Sequence, residues 1–314
     1  MLARDPAGMV PFLRYTHAAP YPPATWVADS LSYLAHHFRR SSGAQRDGAM
    51  QELARVFIEL TDRTPRQRFS FQNSFARLLI PHCPKEQLEA VYRAIKDNEV
   101  EQRGYTFLHF ATYFAKNDGF PLALDALLTA RNIGIDINRF PFLSTCSTII
   151  RSCVNQPNGL RRCLHVVSRL VDMGVRLNGP LCDIIMLNAV EAGDVQTAFS
   201  IYRSLVAQGL RPTESTFAVL LKGCRMNIGD PALLNEMIRD AIRHVRVRES
   251  PVIATSILHC LALHHSQHHP ETALHTLTNA YAQFFDLTPL HQLGLPHPNP
   301  PPNTPPPPPL TLPP

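Results

Sequence analysis

One outline recurs along the chain at close to 36 residues: an apolar-rich helix, a short turn, an amphipathic helix and a closing turn that often carries glycine. It is clearest from Gly179 to Thr213, a unit of 35 residues. Ala198, Ile201, Tyr202, Leu205 and Val206 stand at i, i+3, i+4, i+7 and i+8, the single stripe of an amphipathic helix. Gly209 follows as a C-terminal cap and Pro212 prevents continuation. The segment Leu181–Ala192 before it is a second apolar-rich helix, ended by Gly193.

The same pairing is read along the chain. Thr216–Met226 pairs with Pro231–His244, and Thr145–Val154 pairs with Leu160–Met173. Thr106–Asn117 pairs with Pro121–Arg131, and Val252–His264 with Glu271–Phe285. Weaker copies are Phe71–Ile80 with Lys85–Asp97, and Thr25–Arg39 with Gly48–Leu60. Repeat starts near 104, 143, 179, 214 and 250 are spaced by 39, 36, 35 and 36 residues. A helix pair cannot bury its apolar stripe alone, so such units stack on their neighbours. The expected architecture is all-α: a solenoid of stacked antiparallel helix pairs with a concave face.

Four segments are expected. Residues 1–23 are a weak targeting segment or a disordered lead, 24–103 divergent helical repeats, 104–286 regular repeats, and 287–314 a proline-rich disordered tail. Of 29 prolines, 13 lie between Pro289 and Pro314, which leaves the body helical with proline-marked turns.

Composition excludes several classes. The seven cysteines are odd in number, widely spread and without a CxxC pair, which disfavours a disulfide framework and a zinc ribbon. The longest apolar stretch, Val252–Leu263, has 12 residues, against about 20 for a membrane-spanning helix. Charge is uneven. Residues 139–248 carry 14 Lys or Arg against 8 Asp or Glu, giving +6 of the chain's +5 total. Residues 1–138 carry 16 against 14, and the remainder none against 3. Only four of the 30 basic residues are lysine; arginine suits phosphate and stacked bases better, and is also what a GC-rich genome encodes.

Chemistry-bearing motifs are missing: there is no GxSxG, HExxH, GxxxxGK[ST] or GxGxxG, so catalysis and a cofactor are not expected. His259, His264, His265, His268 and His269 form the one dense group of potential ligands, but their spacing favours a polar interhelical loop over a zinc site. Phe107, Phe110, Tyr113 and Phe114 have helical spacing, which favours a packed core over base stacking.

The unit closing in Gly209-Leu-Arg-Pro212-Thr213, with Gly193 between its helices and Ala198 in its second, resembles a pentatricopeptide repeat. Thr216-Phe217-Ala218-Val219-Leu220-Leu221 resembles the start of that family's first helix. In style the chain resembles the divergent mitochondrial members of fungi. The resemblance implies single-stranded RNA binding, one base per repeat, in the mitochondrial matrix. It implies that the base is chosen by a residue early in the first helix together with the last residue of the same repeat. Carried onto this sequence, those pairs are Leu108 with Asn138, Ser147 with Asn178, Asp183 with Thr213, and Ala218 with a residue near Arg248. Ser147 with Asn178 resembles an adenine-preferring pair, whereas Leu108 and Ala218 have no hydrogen-bonding group.

Arg151 and Arg225, at first-helix ends, are the better placed phosphate contacts. Arg161, Arg162 and Arg169, and Arg239, Arg243, Arg246 and Arg248, fall on or after second helices, the usual outer row. The expected role is a non-catalytic RNA-binding adaptor in mitochondrial RNA processing, stability, translation or ribosome assembly. The alternative is a protein-binding scaffold, such as a respiratory-complex assembly factor or a component associated with the mitoribosome.

Overall fold

The computed structural model describes residues 6–63, 69–71, 74–98, 100–102, 105–154, 156–288 and 292–294. The polyproline run Pro305–Pro309 and most of the tail lie outside them, as do Met1–Asp5. Among the described residues the protein is all-helical: fifteen α-helices and two strands of two residues each. The contacts divide the chain into two compact units: Met1–Ser152 with Asp172–Val175, and Cys153–Val171 with Arg176–Pro314.

The first unit holds α1 (Pro6–Thr16), α2 (Ala24–Phe38), α3 (Gly43–Arg63), α4 (Ser74–Leu79), α5 (Lys85–Asp97), α6 (Tyr105–Lys116), α7 (Phe120–Asn132) and α8 (Phe140–Arg151). The first helices of successive pairs pack on one another, α2 on α4, α4 on α6 and α6 on α8, while α3 packs on α5. Between the second helices, Tyr92 on α5 donates its hydroxyl to Asp125 on α7 at 2.6 Å, and Lys96 reaches the same carboxylate at 2.7 Å. Strands β1 (Ser70–Phe71) and β2 (Glu101–Gln102) pair in parallel, Ser70 opposite Glu101. Phe57, Phe75, Phe110, Phe114 and Tyr92 are buried in the interior.

Sequence periodicity assigns no element to the chain before Pro23, yet Pro6–Thr16 is helix α1. It buries Met9 and Leu13, and Arg14 bridges Glu59 at 2.7 Å and Glu52 at 2.6 Å on α3.

The second unit holds α9 (Gly159–Asp172, except its last residue), α10 (Gly179–Glu191), α11 (Val195–Ala207), α12 (Glu214–Met226), α13 (Pro231–His244), α14 (Pro251–His268) and α15 (Pro270–Phe284). Here α10 pairs with α11, α12 packs on both α10 and α14, and α14 pairs with α15. Met186, Phe199, Phe217, Leu220, Met237, Ile238, Ile257 and Leu261 belong to one continuous core.

Local chemistry sets the helix ends. Asn178, Asp194, Thr213, Asp230 and Ser250 each accept a bond from a backbone N–H three residues on, satisfying a donor that the first turn leaves free. At the end of α11, Gly209 takes φ +75°. Its N–H bonds Val206 O at 2.9 Å and the Leu210 N–H bonds Leu205 O at 3.1 Å, the double closure of a Schellman turn.

Each helix read from the sequence is present, with ends displaced by a few residues, but α8 and α9, read as one pair, fall in different units. The larger displacements are at α3, which begins at Gly43 rather than Gly48, and at α8, which begins at Phe140 rather than Thr145. First helices therefore start at 105, 140, 179, 214 and 251. The long interval of 39 residues is taken up in a connection: seven residues, 152–158, join α8 to α9, where three, 192–194, join α10 to α11. No helix of the described residues is long and apolar enough to cross a membrane.

Candidate nucleic-acid interface

In the second unit the stacked first helices α10, α12 and α14 present a row of polar side chains. Glu191 of α10 accepts from Lys222 of α12, and one turn later on the same helix Arg225 lies 3.5 Å, Nη1 to Nδ1, from His259 of α14. Lys222 and His259 are both the ninth residue of their helices. Counting from helix starts would not have found the Arg225–His259 contact, since Arg225 is the twelfth residue of α12; the sequence reading treated His259 as one of a histidine cluster at a helix end and loop. Histidines His259, His264, His265 and His268 lie within α14, and His264 and His265 are buried. The His264 and His268 ring centroids are 4.8 Å apart. Among the described residues no group of three or more His, Cys, Asp or Glu side chains is placed to hold a metal ion.

The residues proposed to choose bases are placed as follows. Asp183 and Thr213 are brought together. Asp183 sits in the fifth position of α10, only 6% exposed. Its Oδ1 accepts from Thr216 Oγ1 at 2.7 Å and its Oδ2 from Thr213 Oγ1 at 3.4 Å. Thr213 is the exposed N-cap of α12, in a capping box with Thr216. Burial pushes the Asp183 carboxyl above its ordinary value, and the hydroxyls of Thr216, Ser215 and Thr213 bring it part of the way back. Asn178 is the N-cap of α10, its side-chain oxygen accepting from Leu181 N at 3.1 Å. Ala218 is half-buried, and the side chain of Arg248 is not among those described.

In the first unit, Asn138 is exposed and its backbone N–H bonds Asp136 Oδ1 at 2.9 Å. Leu108, its expected partner, is buried. Ser147 is half-buried and donates to Leu143 O at 2.9 Å. With α8 starting at Phe140, the residue matching Asp183 is the exposed Ser144, and Ser147 lies three residues deeper. Ser147 and Asn178 fall in different units. Phe107, Phe110 and Phe114 are buried, so their rings are core. The exposed rings are instead Tyr105 and Phe140, 43% and 82% exposed, which open α6 and α8 at a spacing of 35 residues.

Several arginines stand alone. Among the described residues no ion pair joins Arg151, Arg161, Arg162, Arg169, Arg225 or Arg239, all of them exposed or half-buried. Arg203, Arg243 and Arg246 by contrast pair with Glu236, Asp240 and Glu249 at 3.1, 3.7 and 3.2 Å.

Fold and surface together define an all-α protein of repeated helix pairs with a basic segment over residues 139–248. No family model matches the chain, and no curated protein is found similar to it.

Proposed function

We propose that the chain is a non-catalytic RNA-binding adaptor of mitochondrial gene expression, its helix pairs continuing as a solenoid whose first-helix row meets single-stranded RNA. The observation that carries this reading is the set of unpaired arginines in the +6 segment. Arg151 and Arg225 in first helices, and Arg161, Arg162, Arg169 and Arg239 in second helices, hold charge that no acid of the described residues neutralises; the first two are the ones on the row proposed to meet RNA. A surface of uncompensated guanidinium groups attracts a polyanion, and each phosphate contact releases counterions from it.

The same geometry makes the reading one of phosphate contact more than of base choice. Leu108 is buried, and the Asp183 carboxylate is buried and engaged by two threonines, so neither offers a free polar group to a base edge. Sequence preference should be weak and salt dependence strong.

Titration of the full chain into a fluorescein-labelled, mixed-sequence single-stranded RNA of 20 nucleotides, followed by anisotropy at stepped salt, tests this. The expected plot of log affinity against log salt is linear, with a slope of about −0.7 per phosphate contacted. Absence of binding at low salt overturns the proposal. It would favour a protein-binding scaffold, to which the exposed Phe140, Leu164 and Val171 would then belong.

A further inference from the structure

Exposed aromatic rings gather at the start of the chain: Tyr15, Trp26 and Tyr33 are 85%, 38% and 41% exposed. Single apolar side chains scattered over a surface are ordinary, but these are grouped. Trp26 and Tyr33 stand seven residues apart on α2. With Asp29 and His37 they make its exposed face, opposite the buried Val27, Leu31, Leu34 and Phe38. Neighbouring rings hold both in place. Phe12 of α1 meets Trp26 edge-on with centroids 6.2 Å apart, and His37 stacks on Tyr33 at 6.3 Å and 14°. Beyond His37 the face opens into a hollow lined in part by Val10, Pro11 and Phe38. Among the described residues the Trp26 indole N–H and the Tyr33 hydroxyl bond no protein atom.

A face of flat rings with spare donors suits one peptide chemistry. A polyproline II strand has no internal hydrogen bonds, so its carbonyls are free to accept, and its proline rings pack on aromatic side chains. It rises about 3.1 Å per residue and so repeats about every 9.3 Å, at three residues per turn. Seven residues of α-helix advance about 10.5 Å, so successive turns of such a strand meet Trp26 and then Tyr33. From Trp26 to His37 the helix advances about 16 Å, as five prolines do.

The chain carries such a segment itself. Residues 295–314, outside the described residues, hold 12 prolines and no Asp, Glu, Lys or Arg, and they include the five consecutive prolines Pro305–Pro309. Proline locks φ near −65°, so a run of this kind enters the polyproline II form at little cost in entropy.

We infer that the exposed face of α2, with Phe12 beside it, is a docking site for a proline-rich strand, and that its occupant is the chain's own segment Pro300–Pro309. Trp26 and Tyr33 each seat one turn of the strand and donate to its carbonyls. The inference does not rest on the RNA-binding reading.

Trp26 is the only tryptophan of the chain, so its fluorescence reads this face alone. In a full-length variant with the eight prolines of 300–309 replaced by serine, its emission should shift to the red and its protection from acrylamide should be lost. A peptide of residues 298–312 added to that variant should restore both saturably, and the same peptide with serine for proline should not. Adding Tyr33→Ala to the serine variant should weaken peptide binding about 5- to 10-fold, and Tyr33→Phe should weaken it less because the ring is kept. Thermal melts check that each variant folds. Equal quenching of the wild type and the serine variant overturns the tail as occupant. A proline peptide without effect, or one that binds the Y33A variant unchanged, overturns the site.

Discussion

Thr216 of α12 donates its hydroxyl to Asp183 Oδ1 of α10 across 2.7 Å, with Thr213 at 3.4 Å from the other oxygen. The contact ties the N-terminal turn of one first helix to the interior of the preceding one, so Asp183 acts as a clasp between successive repeats. Asp183→Ala removes the carboxylate acceptor of the buried Thr216 hydroxyl, leaving it only its capping-box contacts with Thr213, and should cost about 1–3 kcal/mol in chemical denaturation. Asp183→Asn keeps an acceptor and should cost less. Because burial holds the carboxyl above its ordinary value, the folded state binds its proton more readily than the unfolded state. Its contribution is then greatest at low pH and is lost as pH rises through the folded value. Melting curves between pH 7 and pH 4.5 should therefore shift in favour of wild type over D183N as pH falls. A difference that does not change with pH would contradict the assignment.

Gly159 and Gly48 should respond to alanine with opposite signs. A Cβ at Gly159 would collide with Cys153 O and meet Val154 O at 3.2 Å, both backbone, so the α8–α9 connection must move. Gly159→Ala should cost about 2–4 kcal/mol, in the range of other strained or overpacked sites. Gly48 lies inside α3 with nothing within 4 Å of a new Cβ. There alanine should stabilise by about 0.5–1 kcal/mol through helix propensity alone. Urea unfolding of the two variants beside wild type reads both signs.

None of the seven cysteines forms a disulfide, and all are buried. Desolvation pushes the thiols of Cys83, Cys146 and Cys163 up to about 12 and those of Cys153 and Cys260 to about 11. Those of Cys182 and Cys224 are raised as well. The thiolate is the reactive form, so the folded protein at pH 8 should release no colour from Ellman's reagent, and guanidinium should expose all seven. Rapid reaction of any one in the folded state would show a thiol that the packing does not protect.

Helical pairing was legible because α10 to α13 carry each local signal together: apolar stripes at i, i+3, i+4 and i+7, cap residues such as Asp194, Thr213 and Asp230, and Gly209 closing its turn. Helix α1 was not legible. It is short, holds Pro11 inside, and gains its stability from Arg14 meeting Glu52 and Glu59, acids 38 and 45 residues away in sequence. The start of α8 was misplaced because the extra residues sit in the α8–α9 connection, where Gln156, Pro157 and Asn158 break the pattern without moving the helix onset. The helix read as ending at His264 runs on to His268, and the histidine cluster was read as a helix end and loop because imidazoles look polar. His264 is nevertheless buried, its Nδ1 lying 3.3 Å from Ile228 O.

The site was less legible than the fold for one reason. A polar residue early in a first helix looks the same in sequence whether it faces a ligand or the next repeat. Asp183 faces the next repeat, and only the positions of Thr213 and Thr216 reveal it. Arg225 was recognised from its place at a helix end, whereas its contact with His259 depends on α14 packing against α12.

The most direct measurement is crosslinking of the tagged protein in living cells, followed by sequencing of the attached RNA and mapping of the crosslinked peptides. The account predicts recovery of discrete mitochondrial transcripts, with crosslinks on α10, α12 and α14 and with yield reduced in the Arg151→Ala and Arg225→Ala variants. RNA at background, together with protein subunits recovered in stoichiometric amount, would contradict it.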